Sequence, residues 1–243
     1  MKNLFNSVKD IILLMVLCLF PFCISILFEY VLVNDTKITT SFLLIPLLLI
    51  GSMISYCYFS TKEGIKLTFN SNICLLAVFF VFGLTLKSTI VIIALTVSNG
   101  RITSDNSLNL YNMFMAVLIT PVAEELIFRV ILQRIINNLM KKEQSTLITI
   151  TLTSLIWSAV HLYGISFESV LLMFDGIILS FAYKKHGSFL IIVFYHMGIN
   201  LSMYMIPMFY SIKYVYIILN ILLIFISMQK YISIMKKERL NKK

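Results

Sequence analysis

Charge is scarce in this sequence. Of its 243 residues only 13% are Asp, Glu, Lys or Arg, while 59% are hydrophobic and the mean hydropathy is +0.94. Soluble domains carry roughly 45–50% apolar residues, so a water-soluble fold would have no interior large enough for this surface. A concentrated basic domain is also missing. The net charge of +9 is spread over short tracts between apolar runs, which excludes a nucleic-acid-binding module and suits contacts with anionic lipid. Cys18, Cys23, Cys57 and Cys74 form no CxxC pair, and are expected as small buried hydrophobes with no metal or redox role. The apolar stretch after the first ten residues reaches Val33 without a small-x-small cleavage site, so it reads as a retained first span. No internal repeat and no Pro/Ser-rich linker occurs. Nor do two symmetric halves carry paired Gly/Pro-broken spans, which argues against a small transporter.

What the sequence does have is a succession of apolar segments of about 20 residues, the length that matches a hydrocarbon core of roughly 30 Å at 1.5 Å per residue. The spans are expected near 11–33, 40–60, 74–98, 112–133, 145–163, 167–183, 188–206 and 211–232. The expected fold is therefore an all-α integral membrane protein of about eight transmembrane helices, a single transmembrane domain over 1–243 with membrane lipid as its solvent. With the N-terminus inside, fifteen Lys/Arg fall on the cytoplasmic side and three, Lys37, Arg101 and Lys213, on the other. That bias places both termini in the cytoplasm.

Ionisable groups at membrane depth cost several kcal/mol each, so each needs a partner or a task. The fourth span contains Glu124, Glu125 and Arg129. Glu125 and Arg129 are four apart, on one helical face, where carboxylate and guanidinium neutralise each other. Glu124 is turned about 100° away and lacks that partner. A carboxylate in a poorly solvated but wet cavity is suited to act as a general base on water. The bland alternative is that all three side chains only fasten helices together. In the fifth span Thr151, Ser154, Ser158 and His161 follow at spacings of three, four and three, a polar stripe that must face protein or water. The seventh span sets His196 and Asn200 four apart, able to donate hydrogen bonds or, for His196, to bind a metal; interhelical fastening is the plainer reading of Asn200. Lys87 and Asp175 are two further mid-span charges, expected to pair.

Glu124-Glu125-x-x-x-Arg129, Trp157-Ser-Ala-Val-His161 and His196-x-x-x-Asn200, in this order and each inside a span, resemble the motifs of the CPBP family, the CAAX proteases and bacteriocin-processing enzymes also called Abi. The resemblance covers residues 110–205, the motif-bearing core. It implies an intramembrane endopeptidase that hydrolyses an amide bond of a peptide or prenylated substrate. Glu124 would activate water, His161 assist, His196 and Asn200 stabilise the oxyanion, and Glu125 with Arg129 support the site. Trp157 stands where the family more often has Phe, and Val130 where many members have Gly. Family members are often labelled metalloproteases. Glu124, His161 and His196 could provide three zinc ligands with an open water position, but no HExxH is present, and a metal-free glutamate mechanism uses the same residues. The short loops and Lys/Ile/Asn-rich usage suggest a bacterial plasma membrane. There peptide maturation is one context, and a non-enzymatic role in bacteriocin self-immunity or scaffolding the competing one.

Overall fold

The computed structural model describes residues 9, 10, 12–14, 16, 41–69, 71–98, 110–140, 145–161 and 167–240. Most of the expected first span, the outer loop at 99–109, Cys18 and Cys23 lie outside them. The described residues are helical apart from short connections, without a strand. α1 spans Ser41–Glu63 and α2 Ile73–Val97; α3 (Leu110–Phe114), α4 (Thr120–Glu125) and α5 (Gln133–Leu139) are joined by π-helical turns at Met115–Ile119 and Leu126–Leu132. α6 spans Ser145–Val160, α7 Phe167–His186, α8 Phe189–Phe209 and α9 Lys213–Leu240, the last two joined by the 3₁₀ turn Tyr210–Ile212. Each helix agrees with an expected apolar segment to within a few residues, except that α9 runs on into the basic tail. Among the described residues two stretches are long and apolar enough by composition to cross a bilayer, Ile73–Val97 and the 49 residues Phe189–Lys237. Along α9 Val215, Ile218, Leu222, Phe225 and Ile226 are exposed, an outward apolar surface that lipid can cover and water cannot.

The chain divides into two compact units, Met1–Thr68 with Val122–Phe189, and Phe69–Pro121 with Leu190–Lys243. In the first, α1 and α7 both end at a glycine in the left-handed region, Gly64 at φ +61° and Gly187 at φ +64°, where a side chain would be strained. Gly187 N–H closes on the Tyr183 carbonyl at 2.8 Å. The two turns are joined: Phe189 N–H donates to the Thr68 carbonyl at 3.0 Å, and the Thr68 hydroxyl to the Gly187 carbonyl. Lys62 pairs with Asp10 in the same unit. α6 and α7 approach closely at Gly176, where a Cβ would sit 3.0 Å from both Ser154 Cβ and Trp157 Cε3. Ser158 Oγ fastens the same pair of helices by donating to the Ser169 carbonyl at 2.7 Å.

In the second unit α9 packs along α2, and Asn220 Nδ2 donates to Ser88 Oγ at 2.9 Å between them. α8 lies against α2 without room for side chains at two points: a Cβ on Gly83 would strike the Tyr195 carbonyl, and one on Gly198 the Phe80 carbonyl. Small residues that let backbones touch are the usual means of packing helices in lipid. Lys87 is buried on α2 of this unit and Asp175 on α7 of the first.

Two expectations change. Cys57 and Cys74 are exposed free thiols, so the buried reading fails for both. A small apolar side chain is equally at home on a lipid-facing surface. On α6 the buried polar line runs through Thr149, Thr153, Ser154 and Ser158, while Thr151 faces outward. Spacing favours Thr151, three before Ser154, but the packing buries Thr153, four after Thr149.

Candidate active site

The glutamate pair closes α4 immediately before the second π turn. Its hydrogen bonds run five residues back, Gln133 N–H reaching the Phe128 carbonyl, as Thr120 N–H reaches that of Met115 in the first. Such turns reorient side chains and are frequent at functional sites. Here they flank the two acids on both sides.

Glu125 and Arg129 are both completely buried, with Arg129 Nε 3.4 Å from Glu125 Oε2. The pair is within ion-pair distance without hydrogen-bond alignment; Arg129 Nη2 turns to the Gly176 carbonyl at 3.4 Å, possible because Gly176 has no side chain in the way. Arg129 also lies over the Trp157 ring, 4.8 Å from its centroid, and the charges of Glu125, Glu124 and Asp175 all act on it. The expectation of a private Glu125–Arg129 pair is thus widened: one guanidinium serves three carboxylates. Val130, expected to disturb packing where many family members have Gly, is 1% exposed and fits within the π turn.

Glu124 differs from its neighbour in access. Its side chain is 14% exposed and that of His161 25%, against none for Glu125, so water and substrate can reach only the first glutamate. Trp157 Nε1–H donates to Glu124 Oε2 at 3.0 Å. His161, in the turn that ends α6, brings Nε2 to 3.8 Å from the same oxygen, and its ring meets the Trp157 ring edge to face. Its Nδ1 lies 2.7 Å from the Trp157 carbonyl. A carbonyl can only accept, so Nδ1 carries the proton, and in the neutral ring Nε2 is an acceptor. Two acceptors then face one gap: the carboxylate oxygen and Nε2. A water that donates one hydrogen to each would satisfy both and turn its lone pairs outward, an arrangement suited to attack on a carbonyl carbon.

His196 and Asn200 stand on α8 in the second unit, His196 only 3% exposed. Asn200 Nδ2 donates to the Ala116 carbonyl at 2.8 Å. The cause is local: Pro121 has no N–H, and in the five-residue register of this π turn that N–H is the donor Ala116 would have received. Asn200 therefore fastens helices, as its plainer reading expected, and keeps a second amide hydrogen for other use.

Among the described residues no group of three His, Cys, Asp or Glu side chains is placed to hold a metal ion. Glu124 and His161 could supply two of the ligands of a zinc site. The residue that sequence reasoning undervalued is Trp157. It was expected as a conservative exchange for Phe, yet its N–H, its face and its edge engage Glu124, Arg129 and His161 in turn. The signal available was that it is the only tryptophan in the chain.

No curated protein and no solved structure matches the chain. Residues 106–202 match a family model described as type II CAAX prenyl endopeptidase Rce1-like, a segment that contains all three motifs. The apolar helices suit a membrane-embedded protein, and the motif-bearing segment, 106–202, is similar to the Rce1-like type II CAAX prenyl endopeptidases.

Proposed function

We propose that this protein is an intramembrane endopeptidase in which Glu124 activates the attacking water. The observation that carries this is the gap between Glu124 Oε2 and His161 Nε2, 3.8 Å wide and reachable from outside, beside a glutamate pair whose other member is sealed. Water bound there attacks the amide carbon while its proton passes to Glu124. The oxyanion so formed collapses, the C–N bond breaks, and the proton held by Glu124 moves to the departing amine. Trp157 holds the carboxylate and His161 holds the water. By the order of the motifs, His196 and the remaining amide hydrogen of Asn200 stabilise the oxyanion.

The substrate in this reading is a peptide or a prenylated, lipid-associated protein, which the family description, a CAAX prenyl endopeptidase, supports. We read the eight apolar segments as spans and the positive-inside bias as placing both termini in the cytoplasm. The deciding experiment follows cleavage of prenylated and unmodified peptides by purified wild type and Glu124→Gln. The variant keeps an acceptor for Trp157 but cannot take a proton, and a loss of about 10²- to 10⁴-fold is expected. Equal biological activity of the two proteins would sink the enzyme reading and leave a binding role in self-immunity.

A further inference from the structure

The first unit holds a second concave feature that the proposed reaction does not use. A cavity of about 280 Å³ opens among the Gly64–Lys66 turn, α5, the first turn of α6 and the end of α7. Glu124, Trp157 and His161 are not part of its wall. Lys66, Arg134 and Lys184 stand exposed around it, Arg129 lies buried in the wall, and no carboxylate is among the lining residues. Arg129 is matched by Glu125, but the three exposed cations around the hollow have no acid among its described lining residues, in a chain with eleven acidic residues.

Inside, three buried lining side chains present polar atoms that have no hydrogen-bond partner among the described residues: Arg129 Nη1, Thr149 Oγ1 and Gln133 Oε1. Their residues are 0%, 2% and 5% exposed. Buried polar atoms are seldom left unsatisfied, and each costs about 1–3 kcal/mol when it is, so such atoms together in a hollow point to a ligand. The first turn of α6, which holds Thr146, adds the positive end of the helix dipole. The opposing carbonyl end of α7 is largely occupied, since Tyr183 O accepts from Gly187 N–H and Gly187 O from Thr68.

We propose that this cavity is a phosphate-binding site, with an attached hydroxyl as the preferred neighbour of the phosphate. A carboxylate offers two oxygens, whereas a phosphate ester offers three or four, the better match in number for the donors of Lys66, Arg134, Lys184, Arg129 and Thr149 that line the hollow. Gln133 Nε2 is engaged with the Ser180 carbonyl at 3.2 Å, which fixes its Oε1 as an acceptor and calls for a donor on the ligand. The volume equals about nine waters at roughly 30 Å³ each, room for a phosphoglycerol group. That chemistry is offered both by the headgroup of an anionic lipid and by soluble glycerol phosphate. The inference does not depend on the protein being a peptidase.

The test uses the full chain purified in a neutral detergent, with thermal unfolding followed as glycerol 3-phosphate is added against potassium chloride at equal ionic strength. In parallel, native mass spectrometry compares retention of phosphatidylglycerol and phosphatidylcholine. A rise in Tm with glycerol phosphate identifies a soluble occupant, and selective retention of phosphatidylglycerol a lipid one; either supports the site. The triple variant Lys66→Gln/Arg134→Gln/Lys184→Gln should weaken binding on the order of tenfold or more, taking the usual contribution of surface cations to anionic-lipid binding. Thr149→Val, which preserves shape and surface charge, should weaken it severalfold and decides the matter if the triple variant does not fold. Binding unchanged in Thr149→Val and the triple variant, a response matched by chloride, or displacement of phosphate by a peptide's C-terminal carboxylate at tenfold lower concentration would each overturn the proposal.

Discussion

Replacing Trp157 by Phe tests the site more sharply than removing a catalytic group, because only the edge of the indole changes. A hydrogen bond to a charged acceptor contributes about 1.5–3 kcal/mol, and Glu124, 14% exposed, falls toward the lower end because water can replace part of it. The Phe ring keeps a face for Arg129, now 4.8 Å from the indole centroid, so about 0.5 kcal/mol of that contact is lost. The Phe ring takes the place of the five-membered ring next to Cβ, and the space of the outer six-membered ring is left as a small cavity at a position 1% exposed, costing about 1 kcal/mol more. The sum is roughly 3 kcal/mol of stability. Of this only the hydrogen bond bears on the carboxylate, and 1.4 kcal/mol there corresponds to about a tenfold fall in kcat with KM little changed. Unfolding and turnover should be measured for Trp157→Phe, Glu124→Asn and the double variant, turnover well below the Tm. The shortened Asn amide withdraws the acceptor, so the indole N–H should couple to Glu124 by about 1 kcal/mol in the cycle. Wild-type turnover in Trp157→Phe, or additive stabilities, would refute the reasoning that the indole N–H holds the base.

Arg129→Met removes the cation 3.4 Å from the fully buried Glu125, so a stability loss of about 3–5 kcal/mol is expected in chemical unfolding, more than for Glu125→Gln, after which the charges of Glu124 and Asp175 still act on Arg129. Gly198→Ala, between His196 and Asn200, should cost about 1–3 kcal/mol because its Cβ runs into Phe80 on α2, and the Tm of the purified variant reads it. Asn200→Ala should destabilise by about 1 kcal/mol in the wild type but less in a Pro121→Ala background, where the restored N–H can serve Ala116. Additivity of those last two substitutions would reject the account of why Asn200 is bound where it is.

The helices were legible because apolar runs of membrane length need no partner to be recognised, and the site because buried charge is rare enough in such runs to stand out. Glu125 with Arg129, and Glu124 turned away from that pair, follow from helical spacing alone. Direction within a tertiary environment does not. Nothing local distinguishes an indole N–H aimed at a carboxylate from a tryptophan that only fills space, and nothing on α6 favours Thr153 over Thr151 as the buried residue. The duty of Asn200 was hidden for another reason. It depends on a proline in a different helix and on a backbone register that reading at 100° per residue does not contain. The exposed Cys57 and Cys74 reflect a third gap, since in lipid an apolar side chain is no indication of the interior.

The π turn at Leu126–Leu132 has a consequence for how changes of length in this helix would act. It accommodates an extra residue without lengthening the helix in proportion, so the chain is out of phase by one position across it. Deleting any one residue there would remove the extra residue and leave the two flanking segments in phase. The turn could relax to ordinary α-helix, with the glutamates kept on one side and Gln133 kept opposite Ser180 on the other, whereas the same deletion in α4 would swing Glu124 by about 100° away from Trp157 and His161. A single-residue deletion scan through 120–133, read by protein level and turnover, should find tolerance confined to 126–132. If the tolerated positions are spread evenly, the turn is not a store of slack.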